Sequence, residues 1–153
     1  MVNNPASPAD RKKVLENVPQ KSPFLFIDDI IEINDKEIKA RYHLKEDEYF
    51  YKGHFPGNPI TPGVILIEAM AQVSVVALGI YLLYLENREL EHITFFTESE
   101  VEFSSVVRPG SELTIYGEKI YQRRNKLKSR ARIELADGTV AASGILAGVE
   151  AKL

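Results

Sequence analysis

The chain has 153 residues, 44% of them hydrophobic and 27% charged, with a formal net charge of −3. That suits one ordinary domain with a real core, and the acidic balance runs against a nucleic-acid-binding domain. With no cysteine, disulfides, thiol nucleophiles and thiolate metal sites are excluded. The N-terminal stretch MVNNPASPADRKK lacks the apolar run of a secretory signal, so a cytoplasmic protein is expected. Residues 6–18 read as a short helix, capped by Ser7, opened by Pro8 and closed by Pro19. Two strand-like runs follow, Phe24–Ile33 and Glu37–Leu44, with the turn signal Asn34-Asp35 between them. Residues 45–63 are the least regular part, fixed by the glycines and prolines that crowd in after Lys52.

From Val64 to Leu85 the only clearly polar residues are Glu68, Gln72 and Ser74. As a helix this segment would be roughly 33 Å long, enough to cross a bilayer. Glu68 and Gln72 would share one face, which is costly in lipid. The flanking sequence also alternates like strands in need of an apolar cover. The expectation is therefore a buried central helix with no membrane insertion. Its apolar surface exceeds what one sheet could cover, which points to a second subunit. Four further strands are expected at His92–Val107, Glu112–Arg123, Leu127–Leu135 and Thr139–Val149, separated by Pro109-Gly110, Arg124-Asn125 and Asp137-Gly138. The result is an α+β chain: a curved antiparallel sheet of about six strands wrapped around one long helix. Residues 1–18 form an N-terminal segment and 19–153 a single domain.

The chemistry concentrates in Gly53–Gln72, GHFPGNPITPGVILIEAMAQ. His54 sits in a loop stiffened by Pro56, Pro59 and Pro62, with Gly53, Gly57 and Gly63 free to take unusual backbone angles. Pro62-Gly63 opens the helix, so amides near Gly63 point outward unpaired at the positive end of the helix dipole. That is a ready site for a developing oxyanion. Glu68 lies inside an otherwise apolar helix, where desolvation favours its neutral, proton-donating form. Taken singly, the histidine could be structural, the glutamate could pair with a buried cation, and the Gly/Pro density could be a tight turn. Composition and spacing go no further than a candidate acid–base site. No metal site is expected.

The segment resembles the motif of the beta-hydroxyacyl-acyl-carrier-protein dehydratases, which have the hot-dog fold. The resemblance runs from about Pro19 to Val149: PFLFIDDIIEI is similar to the family's first strand, EYFYKGHFPGNP to its catalytic loop, and FSSVVRPGSEL to a later strand and turn. It implies dehydration of a (3R)-hydroxyacyl group, carried on the phosphopantetheine arm of acyl carrier protein, to the trans-2-enoyl product, in fatty acid or related lipid biosynthesis. It implies no cofactor beyond that arm. His54 would take the proton beside the thioester carbonyl, Gly63 would hold the carbonyl oxygen through its amide, Glu68 would protonate the departing hydroxyl directly or through a water, and Gln72 would orient Glu68 or that water. Phe55, Ile60, Pro62 and Val64 would line the acyl tunnel. The family's dimers pair the histidine of one chain with the glutamate of the other, so a homodimer with shared sites, or a trimer of such dimers, is implied. Glu68, rather than aspartate, is similar to the branch that dehydrates without isomerising.

The sequence departs from the family at two places. Pro19-Gln20 stands where the family often has Pro-His. The run ITFFTESEVEF lacks the family's glycine and gating tyrosine, unless Phe95 or Phe96 substitutes. A basic run, Arg123, Arg124, Lys126, Lys128 and Arg130, could steer an acidic carrier protein, as could Arg108; a solvated hairpin turn accounts for the run equally well. Two other readings remain open at this point: a thioesterase on the same fold, and a non-catalytic partner subunit that binds acyl carriers.

Overall fold

The computed structural model describes residues 4–88 and 93–152. Helix α1 spans Pro8–Asn17. Ser7 Oγ accepts from the Asp10 amide and Asp10 Oδ2 accepts from the Ser7 amide, both at 3.1 Å. This capping box satisfies two donors that the helix start would otherwise leave bare. Val14 and Val18 of this segment are buried in the same core as the sheet, and the Ala6 amide bonds the Ile33 carbonyl.

Six strands form one antiparallel sheet: β1 (Asp29–Ile33), β2 (Glu37–His43), β3 (Ile93–Phe103), β4 (Glu112–Arg123), β5 (Lys126–Glu134) and β6 (Val140–Ala151), in the order β1-β2-β4-β5-β6-β3. Between β1 and β2, Asn34 Oδ1 accepts from the amides of Lys36 and Glu37, so the side chain builds the turn that its residue type signals. The first strand is shorter than expected. Phe24–Asp28 stay outside it because the Phe24 carbonyl and the Phe26 amide bond the Gln72 side chain and not a neighbouring strand. The third strand ends at Phe103 and not at Val107, because the amides of Ser104 and Ser105 both turn to the Ala141 carbonyl. The expected start of that strand at His92 lies outside the described residues.

The central helix runs from Gly63 to Leu85, but it is not uniformly α. It consists of α2 (Gly63–Ala71), a π-helical segment (Gln72–Ala77) and α3 (Leu78–Leu85). In the π segment the Leu78 amide reaches the Val73 carbonyl five residues back. Ser74 Oγ donates to the Met70 carbonyl and Ser129 Oγ donates to the Ser74 carbonyl, both at 2.7 Å and buried. Side-chain hydroxyls thus serve carbonyls where the regular ladder changes pitch. A Cβ on Gly117 would lie 2.7 Å from Ser74 Cβ and 2.9 Å from Ser74 Cα, so a glycine in β4 is what lets the sheet approach this turn. The helix ends in a Schellman motif: the Arg88 amide bonds the Leu83 carbonyl, the Asn87 amide bonds the Tyr84 carbonyl, and Asn87 is left-handed at φ 54°.

The sheet buries this helix along with Phe26, Ile38, Leu113, Ile115, Ile133 and Leu146, each worth roughly 1.5–3 kcal/mol of apolar burial. Over its most apolar stretch the helix is 72% buried within the domain. Val64 and Tyr84 on this helix stay 72% and 39% exposed. More uncovered apolar surface lies on the edge strand β3, where Phe95, Phe96 and Phe103 are 41%, 42% and 48% exposed.

Candidate active site

Residues 44–62 leave β2 and return to the start of α2. The loop is fixed by polar ties. Tyr42 Oη and the Lys45 amide both donate to Glu48 Oε2, and the Tyr51 and Thr61 hydroxyls bond each other at 2.7 Å. Burial pushes the Tyr51 phenol above its ordinary pKa, against the opposing pull of Thr61. The Thr61 amide bonds the Val107 carbonyl at 2.8 Å, which brings the β3–β4 connection, and Arg108 within it, beside the helix start.

At the loop's tip His54 is held twice by one residue. Its carbonyl accepts from the Ile60 amide at 2.9 Å, and its Nδ1 lies 2.8 Å from the Ile60 carbonyl. A carbonyl can only accept, so Nδ1 carries the hydrogen and Nε2 of the neutral ring keeps a free lone pair. The Phe55 ring stacks on the imidazole at 4.1 Å between centroids. Orientation and tautomer of His54 are therefore both set, as a general base requires.

Glu68 lies one and a half turns into α2, half-buried. Desolvation raises its pKa above the ordinary carboxylate value, and the hydrogen bond from Gln72 opposes this only in part. Gln72 is fully buried, and its amide spends all its main bonds: Nε2 donates to Glu68 Oε1 at 2.9 Å and to the Phe24 carbonyl at 2.8 Å, while Oε1 accepts from the Phe26 amide at 2.8 Å. Gln72 therefore fixes one oxygen of Glu68 and leaves the other available for a proton.

The helix start has the geometry expected of an anion site. The amides of Ile65 and Leu66 bond the Pro62 carbonyl. Those of Gly63 and Val64 have no acceptor among the described residues. A Cβ at Gly63 would lie 2.9 Å from the tip of the Phe103 ring, so glycine here admits Phe103 against the helix start.

Glu68 opens into a cavity of about 140 Å³ lined also by Gln20, Ala71, Val75, Val76, Thr94, Phe95, Phe96 and Ala147. A second cavity of about 170 Å³ shares Val75, Val76 and Thr94 and reaches Lys126 and Leu127. Of the residues expected to line a tunnel, Phe55 and Val64 are 50% and 72% exposed, Ile60 is half-buried and Pro62 buried; none of the four lines the Glu68 cavity. His54 does not line it either, and no hydrogen bond joins His54 to Glu68. Sequence reasoning did not place Gln20, Val76 and Thr94 at the site. The one signal available was the Pro19-Gln20 departure itself.

The basic residues divide. Lys126 and Lys128 both pair with Glu98, at 2.7 and 3.5 Å, and Arg130 pairs with Glu118 at 3.8 Å. Arg123 lies over the Tyr121 ring, Arg124 occupies the β4–β5 turn with φ 54°, and Arg108 is exposed. Among the described residues no group of three or more histidine, aspartate or glutamate side chains is placed to hold a metal ion.

A six-stranded antiparallel sheet closed on one long helix is the hot-dog architecture, here with an oriented histidine at the helix approach and a desolvated carboxyl in the helix. A family profile described as FabA-like domain matches residues 18–146, and the chain belongs to that family. It is 38% identical over 135 residues to a 3-hydroxyacyl-(acyl-carrier-protein) dehydratase FabZ of Caldicellulosiruptor bescii, covering 88% of this chain and 93% of the relative. To the FabZ of Petrotoga mobilis it is 34% identical, covering 91% and 96%. Among solved structures, the dehydratase heterocomplex ApeI:P of Xenorhabdus doucetiae superposes with a TM-score of 0.78 at 18% identity, covering 91% of each chain. A hypothetical thioesterase from Streptococcus pneumoniae with coenzyme A superposes at 0.58 and 14% identity, covering 81% of this chain and 85% of that one. At such identities the structures speak for the fold alone.

Proposed function

We propose that this protein is a hydro-lyase that removes water from a 3-hydroxyacyl group on acyl carrier protein, leaving the trans-2-enoyl thioester, as a step of fatty acid or related lipid biosynthesis. The observation that carries the reading is Glu68: a carboxyl whose pKa burial raises, one oxygen fixed by Gln72, in a chain 38% identical to a protein named for this reaction. His54 Nε2 takes the proton from the carbon beside the thioester carbonyl. Negative charge develops on the carbonyl oxygen, and the unpaired amide of Gly63 holds it at the positive end of α2. Glu68 gives its proton to the 3-hydroxyl, the C3–O bond breaks, and water leaves. His54 then returns its proton, through solvent, to Glu68. The step needs no cofactor beyond the phosphopantetheine arm that presents the acyl chain.

The working unit is a homodimer in which His54 of one protomer faces Glu68 of the other; a trimer of dimers is a higher form of the same unit. Two observations support this. No hydrogen bond joins His54 to Glu68 within one chain and His54 does not line Glu68's cavity, and the edge strand β3 carries exposed phenylalanines next to that cavity. Arg108, beside the helix start, is the placement that best suits docking of an acidic carrier protein, with Arg123 and Arg124 as secondary contacts; Lys126 and Lys128 are already committed to Glu98. Phe55, Ile60, Pro62 and Val64 would meet the acyl chain only across such a dimer. The protein is taken to be cytoplasmic.

The test is the purified protein with 3-hydroxyacyl thioesters of several chain lengths, followed by enoyl absorbance. Turnover is expected, and inactivity on every chain length with a suitable carrier present overturns the reading. Release of free thiol without enoyl product would instead favour a thioesterase. His54→Ala and Glu68→Gln should each lower turnover by at least about a hundredfold, the lower range for a lost general acid or base. Mixing the two inactive variants should restore activity as subunits exchange. If proven exchange restores nothing, the shared site is wrong.

A further inference from the structure

Gln20 carries the one side-chain polar atom that is buried and unpartnered among the described residues, its Oε1. It lines the cavity that holds Glu68, whose other walls are apolar except for Thr94. The segment bearing it is pinned at both ends. Val18 is fully buried in the core, and the Phe24 carbonyl and Phe26 amide are tied to Gln72, the same side chain that holds Glu68. Gln20 and Glu68 are thus fixed in one frame, and no direct hydrogen bond joins them. A buried carbonyl oxygen without a donor is costly. That atom has almost no accessible surface, so the side chain turns to present it, and a ligand in the cavity that brings it a hydrogen favours that turn.

We propose that Gln20 Oε1 is the acceptor for the O–H of the substrate's 3-hydroxyl, and so positions the departing oxygen for the proton of Glu68. This rests on the dehydratase reading above. The hydroxyl donates its own hydrogen bond to Gln20, which turns an oxygen lone pair toward the protonated oxygen of Glu68. When Glu68 gives up its proton the C3–O electron pair leaves with the oxygen, the hydrogen lost from the neighbouring carbon is on His54, and the product is a water still bonded to Gln20. The amide oxygen also sets specificity. A saturated acyl thioester offers it no donor, so the site selects substrates that carry the hydroxyl.

The experiment compares wild type with Gln20→Met, which keeps length and apolar bulk but has no amide, and Gln20→His, which retains an acceptor. Two quantities are read on N-acetylcysteamine thioesters: dehydration of the 3-hydroxyacyl compound, and inhibition by the saturated acyl compound of the same length. Gln20→Met should lower kcat/KM for the hydroxyacyl compound about tenfold, the scale of one lost hydrogen bond, with the inhibition constant of the saturated compound unchanged. Gln20→His should recover most of the loss. Should Gln20→Met fail to fold, Gln20→Ala is read in the same way. Unchanged kcat/KM in Gln20→Met overturns the proposal, as does an equal loss of affinity for both compounds, which would mark a structural role. Inactivity of the wild type on every 3-hydroxyacyl thioester would instead sink the dehydratase reading itself.

Discussion

Glu68 illustrates how burial and a single hydrogen bond compete at one residue. Desolvation raises its pKa and the Gln72 bond lowers it; desolvation wins. A carboxyl whose folded pKa lies above its unfolded value binds more protons when folded. Its contribution to stability is therefore fully present below the unfolded pKa and is lost as pH rises through the folded one. Glu68→Gln abolishes this titration. The melting temperature of the variant minus that of wild type should thus increase as pH rises from below the ordinary carboxylate value, then level off above the folded pKa. A difference independent of pH would mean that Glu68 ionises in the fold as it does in water. Gln72 has a different failure mode. Gln72→Ala strands the Phe26 amide and the Phe24 carbonyl as well as releasing Glu68, so it should cost about 2–4 kcal/mol in denaturant unfolding at the usual penalty for unpaired buried groups. At this scale the sequence was informative where chemistry is local. A histidine among prolines and a glutamate in an apolar run are visible as text. Gln20 was visible only as a departure from a family pattern, because its role comes from a cavity wall assembled by residues 48 or more positions away.

The elements follow the same division. Asn34, Pro109-Gly110 and Asp137-Gly138 announce their turns, since each residue type supplies the geometry its turn needs. The π segment is not announced. It depends on Ser129, from a strand far along the chain, and on a glycine at 117 that gives Ser74 room. Nor is the shortened β1, whose missing half is claimed by Gln72. Gly117→Ala would push a methyl to within 2.7 Å of Ser74 Cβ and 2.9 Å of Ile38 Cγ2. The expected cost is about 1–3 kcal/mol, as for overpacking of a filled core, measured as a lower denaturant midpoint with unchanged slope. A variant as stable as wild type would mean that sheet and helix are less closely apposed there. At the far end of the helix, Asn87 already tolerates its left-handed angle better than most residues. Asn87→Val should cost on the order of 1–2 kcal/mol, while Asn87→Gly should be neutral or slightly stabilising.

For the whole molecule the decisive surface is β3. It is eleven residues long and lies at the sheet edge with bare phenylalanines, the kind of edge that soluble proteins cover or blunt. A protein that depends on that cover should lose activity on dilution in step with loss of dimer by light scattering; a folded, active monomer would refute the two-chain site. Charge enters at the same scale. Arg108→Glu should weaken turnover of carrier-bound substrate, most at low salt where screening is least, and leave a small thioester substrate nearly unaffected. Equal losses on both would place Arg108 in the chemistry and not in docking.

The π segment also makes the central helix a device for setting phase. One extra residue per turn rotates everything after it by about 100° relative to an unbroken α-helix, the angle one residue contributes at 3.6 per turn. Glu68 precedes that offset, and Leu78, Tyr81 and Leu82, which lie against the core, follow it. Deleting a single residue between Gln72 and Ala77 would leave composition and hydropathy almost untouched and would let a regular helix form. The core-facing side of α3 would keep its present phase with Glu68, because the deletion removes the residue that the wider turn absorbs; a regular helix formed without the deletion would turn that side about 100° away. In that undeleted helix the fold could bury its apolar face or aim its carboxyl into the cavity, but not both.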